Sequence, residues 1–131
     1  MKGVFKYLSM ATLIVASGCA TGPKLTEAEL KEANEPLICA NKQQCDLYWQ
    51  RAQVWVAEKS FYKIQLANDV IIQTYSPPAD SMYMGYTIIK SPMSNGSAEI
   101  KFNPVCNSVF GCVGGIESTT LAFKKTIKYE G

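Results

Sequence analysis

The chain has 131 residues, with 13 Lys plus Arg, 11 Asp plus Glu and no His, which gives a formal net charge of +2. A nearly neutral chain offers no electrostatic case for binding nucleic acid. The absence of His excludes Ser-His-Asp and Cys-His catalysis and removes the commonest general base.

The first residues have the pattern of an export signal. Lys2 and Lys6 precede the apolar run 7–16, which is too short to span a bilayer as a permanent helix, and the small pair Ser17-Gly18 precedes Cys19. This pattern predicts a signal peptide over residues 1–18. Without its two lysines, the remaining chain has equal numbers of basic and acidic residues.

The residues that end at Cys19 resemble the lipobox of bacterial lipoproteins, although Ala16 stands where Leu is usual. The resemblance implies cleavage before Cys19, diacylglycerol on its thiol and an acyl chain such as palmitate on its amino group. Ala20 replaces the Asp typical of inner-membrane retention, which implies an outer-membrane anchor with the domain facing the periplasm. The alternatives are an ordinary secretory signal that is cut elsewhere and a short buried helix.

Residues 19–37 are polar and contain prolines, which predicts a tether with a typical span of roughly 25 Å. Within it, Thr26 and Glu29 match a capping box, so a short helical turn through Ala33 is expected. The alternative is a helix docked on the domain. Residues 38–131 are then expected to form a single small domain.

The domain begins with a predicted helix. Asp46 is a candidate N-cap for a helix that runs to Lys59, and four apolar residues lie on one face of it. These residues are Tyr48, Ala52, Trp55 and Val56. Large aromatic residues at this spacing are more often part of a core than a ligand-binding platform.

Three strands and a second helix follow. Alternation predicts a strand over 63–75, with a tight hairpin at Asn68-Asp69 as the alternative, and further strands around Tyr86 and Ile100. Ile116, Thr120, Phe123 and Ile127 mark one face of a closing helix. The expected fold is α+β, a three-stranded antiparallel β-meander with one helix before it and one after it, in the order αβββα.

The helices are expected to cover the even-numbered face of this sheet. The other face then carries exposed apolar residues that could form an interaction surface. These residues are Ile71, Tyr75, Tyr83 and Ile89. The alternative is that a loop covers them or that they are ordinary scattered surface residues.

Four cysteines remain besides Cys19, and an even count in an exported chain predicts disulfides. Three pairings are possible, and we expect Cys39 with Cys45 and Cys106 with Cys112, because each pair brackets a short loop of turn-prone residues. A zinc site of all four cysteines is the alternative, but their spacing is wider than is usual. A C-x-x-C redox motif is absent from the sequence.

No convincing catalytic motif occurs in the sequence. Ser60 and Lys63 match the S-x-x-K pattern, but Ser60 is expected at the end of a helix rather than at its start. Asp69 and Glu99 could act as a pair of carboxylates on one sheet face. We expect no cofactor and no metal.

The mature part also resembles small proteobacterial envelope lipoproteins, through a helix like 49–56, the strand end Gln73-Thr74-Tyr75 and the triplet Phe110-Gly111-Cys112. That resemblance implies no activity. We therefore expect a non-enzymatic envelope lipoprotein, bound to the membrane through Cys19, that binds another envelope protein or peptidoglycan or has a structural role. A carboxylate-dependent periplasmic hydrolase and a small-ligand carrier are the alternatives.

Overall fold

The computed structural model describes residues 24–130, which form three helices and a five-stranded antiparallel sheet. The helices are α1 (Glu27–Asn34), α2 (Lys42–Lys59) and α3 (Ile116–Lys128). The strands are β1 (Leu37–Cys39), β2 (Ile64–Ala67), β3 (Ile71–Thr74), β4 (Gly85–Pro92) and β5 (Ala98–Val105). The predicted α+β class is confirmed, and the αβββα order is wrong in detail because two further strands and one further helix are present.

The two N-terminal helices begin at side-chain caps. Thr26 and Glu29 form the predicted capping box, in which the Thr26 hydroxyl accepts a hydrogen bond from the Glu29 amide at 3.2 Å. Helix α2 starts earlier than expected, because the side chain of Asn41 caps it by accepting from the Gln44 amide at 2.9 Å. The prediction of Asp46 as the cap is wrong: Asp46 lies inside the helix and pairs with Lys42 at 2.6 Å.

The predicted strand over 63–75 is wrong and is replaced by the hairpin alternative. The Asn68 side chain accepts hydrogen bonds from the amides of Val70 and Ile71, at 2.9 and 3.0 Å, and so turns the chain between β2 and β3. A register shift between Ile64 and Leu66 marks a bulge in β2. The strands β3, β4 and β5 form a meander, and the sheet order is β1-β5-β4-β3-β2.

Strand β1 was not predicted, and it pairs with the beginning of β5 through Leu37 with Ile100 and Cys39 with Ala98. The segment before it, expected to be part of a tether, forms α1 and packs on α3. Lys124 of α3 donates hydrogen bonds to the carbonyls of Ala33, at 2.5 Å, and Glu35. Residues 24–37 therefore follow the docked-helix alternative, and the expected boundary before residue 38 falls inside β1. Cys19 and the predicted signal peptide lie outside the described residues.

The core lies between the even-numbered face of the sheet and the helices, as predicted. Ile72, Ile88 and Ile100 of three neighbouring strands are fully buried on this face. The Trp55 ring of α2 makes edge contacts with three aromatic rings, and the centroid distances are 5.2 to 5.4 Å. Those rings belong to Tyr86, Phe102 and Phe123.

The apolar faces predicted for two helices are confirmed in large part. Tyr48, Ala52, Trp55 and Val56 of α2 are all buried. In α3, Phe123 and Ile127 are fully buried, whereas Ile116 at the first turn is exposed. Because Ile116 is exposed, the first turn of α3 does not pack over the core, and it lies next to the exposed loop that precedes it.

Candidate interaction surface

Two disulfides link the cysteines in the predicted pairs, Cys39 with Cys45 and Cys106 with Cys112. The first bridge joins β1 to the first turn of α2 beside Ala98, and the second closes the loop that follows β5. The two bridges therefore lie near opposite ends of β5, a strand about 25 Å long. The zinc alternative is wrong, because all four sulfur atoms are in disulfide bonds and the two pairs are far apart.

The loop closed by Cys106 and Cys112 presents the two most exposed large apolar side chains of the described residues. Val109 is 84% exposed and Phe110 is 96% exposed. The Ser108 hydroxyl accepts a hydrogen bond from the Phe110 amide, and the Ser108 carbonyl accepts one from the Gly111 amide; both are 3.2 Å long. Gly111 has φ +86°, a conformation that glycine adopts without strain. The backbone is thus tightly turned at the point where the apolar side chains project outward.

A second loop, residues 75–84, supports the first. The amide of Val113 donates to the Met82 carbonyl at 2.9 Å, and the Asn107 side-chain amide donates to the Pro77 carbonyl at 2.7 Å. Pro77 is buried against Gly85, where an added Cβ would lie 2.8 Å from the proline ring. The disulfide loop is therefore fixed by hydrogen bonds to the second loop, which in turn packs through Pro77 against Gly85 at the start of β4.

An exposed aromatic pair lies next to these loops. The rings of Phe61 and Tyr83 stack with centroids 4.2 Å apart and planes 6° from parallel. Tyr62 connects this pair to the second loop through a hydrogen bond between its hydroxyl and that of Ser81. We call the group of exposed side chains at this end of the sheet the apolar end. It consists of Phe61, Met82, Tyr83, Val109, Phe110 and Val113.

Two of the three segments that form the apolar end have almost no charge, and the third, around Phe61, is flanked by Lys59 and Lys63. No Asp, Glu, Lys or Arg occurs between Lys101 and Glu117, and Asp80 is the single charged residue between Asp69 and Lys90. Exposed apolar groups of this kind are typical of interaction sites rather than of acid–base chemistry. The surface can therefore offer apolar contact, and it has few groups that could transfer a proton.

The interaction surface predicted from the sequence is divided in the structure. Ile71 and Ile89 are register partners on the open face of the sheet, where Ile89 is exposed and Ile71 is half-buried. Tyr83 belongs to the apolar end, and Tyr75 is exposed just after β3. Sequence reasoning missed Val109 and Phe110. Their signal was a run of uncharged residues between two cysteines, which we interpreted only as a disulfide loop.

In the described residues, no hydrogen bond or groove links the residues proposed for catalysis. Glu99 lies in β5 between Ile38 and Ser91, whereas Asp69 lies in the turn between β2 and β3, with the strand β4 between them. Ser60 ends α2, and its hydroxyl donates to the Tyr62 carbonyl at 2.7 Å. The S-x-x-K arrangement, which needs serine at a helix start, is therefore not formed.

Several surface grooves of the described residues lie along α2 and α3. One groove of about 490 Å³ is lined by residues of α2 and Thr126, and another of about 510 Å³ reaches Trp55 and Tyr86. Both open to solvent, and neither is lined by Asp69 or Glu99. A small-ligand carrier would need an enclosed apolar cavity between sheet and helices, and the aromatic cluster around Trp55 occupies that space.

Two buried side chains have shifted pKa values. Burial lowers the pKa of Lys124 and the neighbouring Lys128 lowers it further, against smaller opposite effects of Glu35 and Glu99. Burial also raises the pKa of the Tyr86 hydroxyl. Both groups lie in the packed interior and not at the apolar end.

Within residues 24–130, no cluster of three or more His, Cys, Asp or Glu side chains is placed to hold a metal ion. No helix in this part of the chain is both long and apolar enough to cross a bilayer. In comparisons with family models, curated proteins and solved structures, the chain has no match. The resemblance to envelope lipoproteins therefore stays a prediction.

Proposed function

We propose that this chain is a lipid-anchored protein of the bacterial outer membrane that faces the periplasm and works by contact, without catalysis. Cys19 carries the acyl chains, and the domain contacts another component of the envelope or has a structural role there. The residues around Cys19 support the anchor. The two disulfides support an oxidising compartment such as the periplasm.

One observation carries the contact role, namely the exposure of Phe110 and its neighbours on a loop fixed by a disulfide. A soluble domain usually buries a phenylalanine, and here the side chain is 96% exposed while the backbone beneath it is tightly hydrogen-bonded. A rigid apolar projection is suited to binding, because little conformational freedom is lost on contact. Candidate partners include another envelope protein and peptidoglycan.

The anchor is tested by metabolic labelling of growing cells with a palmitate analogue. We expect label on the wild-type protein and none on the Cys19→Ala variant, and we expect the labelled protein in the outer-membrane fraction. Equal labelling of both proteins, or of neither, would contradict the anchor.

The contact role is tested by photo-crosslinking in intact cells. A photoreactive amino acid in place of Phe110 should form adducts with an envelope component, whereas the same residue in place of Val54 on α2 should form few. Val54 is a matched control because it is also exposed, at 54%, and lies outside the apolar end. Equal adduct formation at both positions would argue against a specific contact surface.

A further inference from the structure

We propose that the apolar end inserts shallowly into the same lipid bilayer that holds the acyl chains of Cys19. This inference rests on the proposed lipid anchor and names the partner of the apolar end as phospholipid. A peripheral contact of this kind would fix the orientation of the domain on the membrane surface, which an anchor on a linker does not do by itself.

The shape of the apolar end fits a bilayer better than a protein partner. Val109 and Phe110 project from the tip of a loop, and the surface is narrow, with six large apolar side chains in the apolar end as defined above. A stable protein–protein interface usually involves about 20 to 30 residues of all kinds on each side and is broader than a projecting tip. A bilayer sets no such minimum, since each apolar side chain that enters the interface contributes separately.

Part of the loop's backbone is already hydrogen-bonded within the protein, which lowers the cost of removing it from water. The amides of Phe110, Gly111 and Val113 donate to Ser108 or to Met82, whereas the amide of Val109, which has no acceptor among the described residues, keeps a free donor that must stay at the level of the headgroups. An unpaired amide would resist transfer into the acyl region, because no water is available there to replace its hydrogen bond. The absence of charge between Lys101 and Glu117 removes the other large penalty from the tip of the disulfide loop. The exposed Asp80 of the second loop, whose amide donates to the Asn107 carbonyl at 3.2 Å, has to stay in the headgroup layer, which limits the insertion to a shallow one.

Groups suited to the headgroup layer surround the tip. Tyr83 has an apolar ring and a polar hydroxyl, a combination that is enriched at membrane interfaces. Lys59 and Lys63 stand on either side of Phe61 in the sequence, and both are exposed. Their ammonium groups can meet lipid phosphates while their methylene stems lie along apolar surface.

The segment before α1 is long enough for the acyl chains on Cys19 and the apolar end to contact the same bilayer. From Cys19 to Glu27 the chain advances by eight residues. Fully extended, such a segment spans roughly 27 Å. The C-terminal end of α1 docks on Lys124 of α3, about 12 Å along that helix from Ile116, which adjoins the disulfide loop. Glu27, where the segment from Cys19 enters α1, lies at the other end of α1, roughly 10 Å from this docking point. Because these two distances together are shorter than the extended segment, its length is compatible with contact of the acyl chains and the apolar end with one bilayer.

The test uses the full lipidated protein in vesicles of phosphatidylethanolamine and phosphatidylglycerol that contain brominated acyl chains. Phe110→Trp provides a fluorescent probe at the tip, Val109→Trp is a second probe beside it, and Val54→Trp is the control on α2. The native Trp49 and Trp55 are each only 5% exposed and give a constant background. Flotation of the vesicles measures anchoring separately from fluorescence quenching.

We expect bromine to quench the added fluorescence of F110W and V109W roughly twofold more than that of V54W. Bromine near the headgroups should quench more than bromine deep in the bilayer, because interfacial contacts enter only about 5 to 10 Å into the boundary between headgroups and acyl chains. Flotation without this difference would overturn the insertion and leave the anchor standing. Loss of flotation together with loss of quenching would overturn both. Equal quenching of all three probes would show non-specific adsorption and would also overturn the proposal.

Discussion

The two disulfide loops of this protein have the same cysteine spacing and different degrees of burial. In each, the paired cysteines are six positions apart. Cys39 and Cys45 are buried in the core, where they join β1 to α2, whereas Cys106 and Cys112 are half-buried against it and the loop between them projects into solvent with Phe110. We call the first region the closed end.

The comparison shows that what a disulfide contributes to a protein depends on the residues that pack around it. At the closed end, the disulfide lies beside Leu37 and Ala98 and forms part of the hydrophobic core. At the apolar end, the disulfide holds a loop whose apolar side chains touch little of their own protein. Both bridges are expected to stabilise the fold, and the second also holds the proposed contact surface in one conformation.

The largest expected difference between the two ends is in stability. Each bridge closes a loop of similar length, so its chain-entropy contribution is about 2 kcal/mol in either place. We expect the Cys39→Ala/Cys45→Ala variant to lose about 3 to 4 kcal/mol, because a cavity in the core adds about 1 to 2 kcal/mol to that entropy term. The Cys106→Ala/Cys112→Ala variant should lose about 2 kcal/mol. Urea denaturation of the three proteins measures both differences, and equal losses would break the comparison.

A second prediction concerns Lys124, which docks α1 beside the closed end. We expect Lys124→Met to lose about 1 to 2 kcal/mol at neutral pH, because the hydrogen bonds to the carbonyls of Ala33 and Glu35 disappear. Lys125→Met is a matched control, since Lys125 is an exposed neighbour in the same turn of α3. Chemical denaturation gives the two free energies of unfolding.

The pH dependence of the same pair of proteins sharpens this prediction. Because the pKa of Lys124 is lower in the folded state than its ordinary value of 10.5, the unfolded chain binds more protons between these two pKa values. The free energy of unfolding of the wild type should rise with pH in that window and level off above 10.5. Lys124→Met should lack that rise, so its deficit relative to the wild type should widen with pH. A deficit that narrows would contradict the lowered pKa.

The smallest expected effect is at the tip of the apolar end. Phe110→Ser should change the free energy of unfolding by no more than about 0.5 kcal/mol, because an almost fully exposed side chain loses no packing. Thermal unfolding followed by circular dichroism provides the measurement. A loss above about 2 kcal/mol, of the size found for core residues, would mean that Phe110 packs against the domain and is not a free contact surface.

Much of the fold could be predicted from short-range patterns. Four features were predicted from residues that are close together in the sequence. They are the capping box of Thr26 and Glu29, the buried face of α2, the even-numbered core face of the strands and the expected cysteine pairs. The hairpin at Asn68 was only an alternative, because the alternation of apolar residues continues through the turn. The start of α2 was missed because Asn41 and Asp46 are both good caps.

By itself, the sequence determined the helical faces and the strand parity, because each depends on contacts within one or two turns of helix or along one strand. It left three cysteine pairings open, and the structure decided for the two short loops. Only the tertiary structure decided that β1 exists, since three residues form a strand only when Ile100, far along the chain, supplies the pairing. It likewise decided that α1 docks on α3 and that Phe61, Tyr83 and Phe110 lie at one end of the sheet. Such placements depend on which surfaces, far apart in the sequence, pack against each other. The periodicity of apolar residues within one element does not show which partner that element packs against.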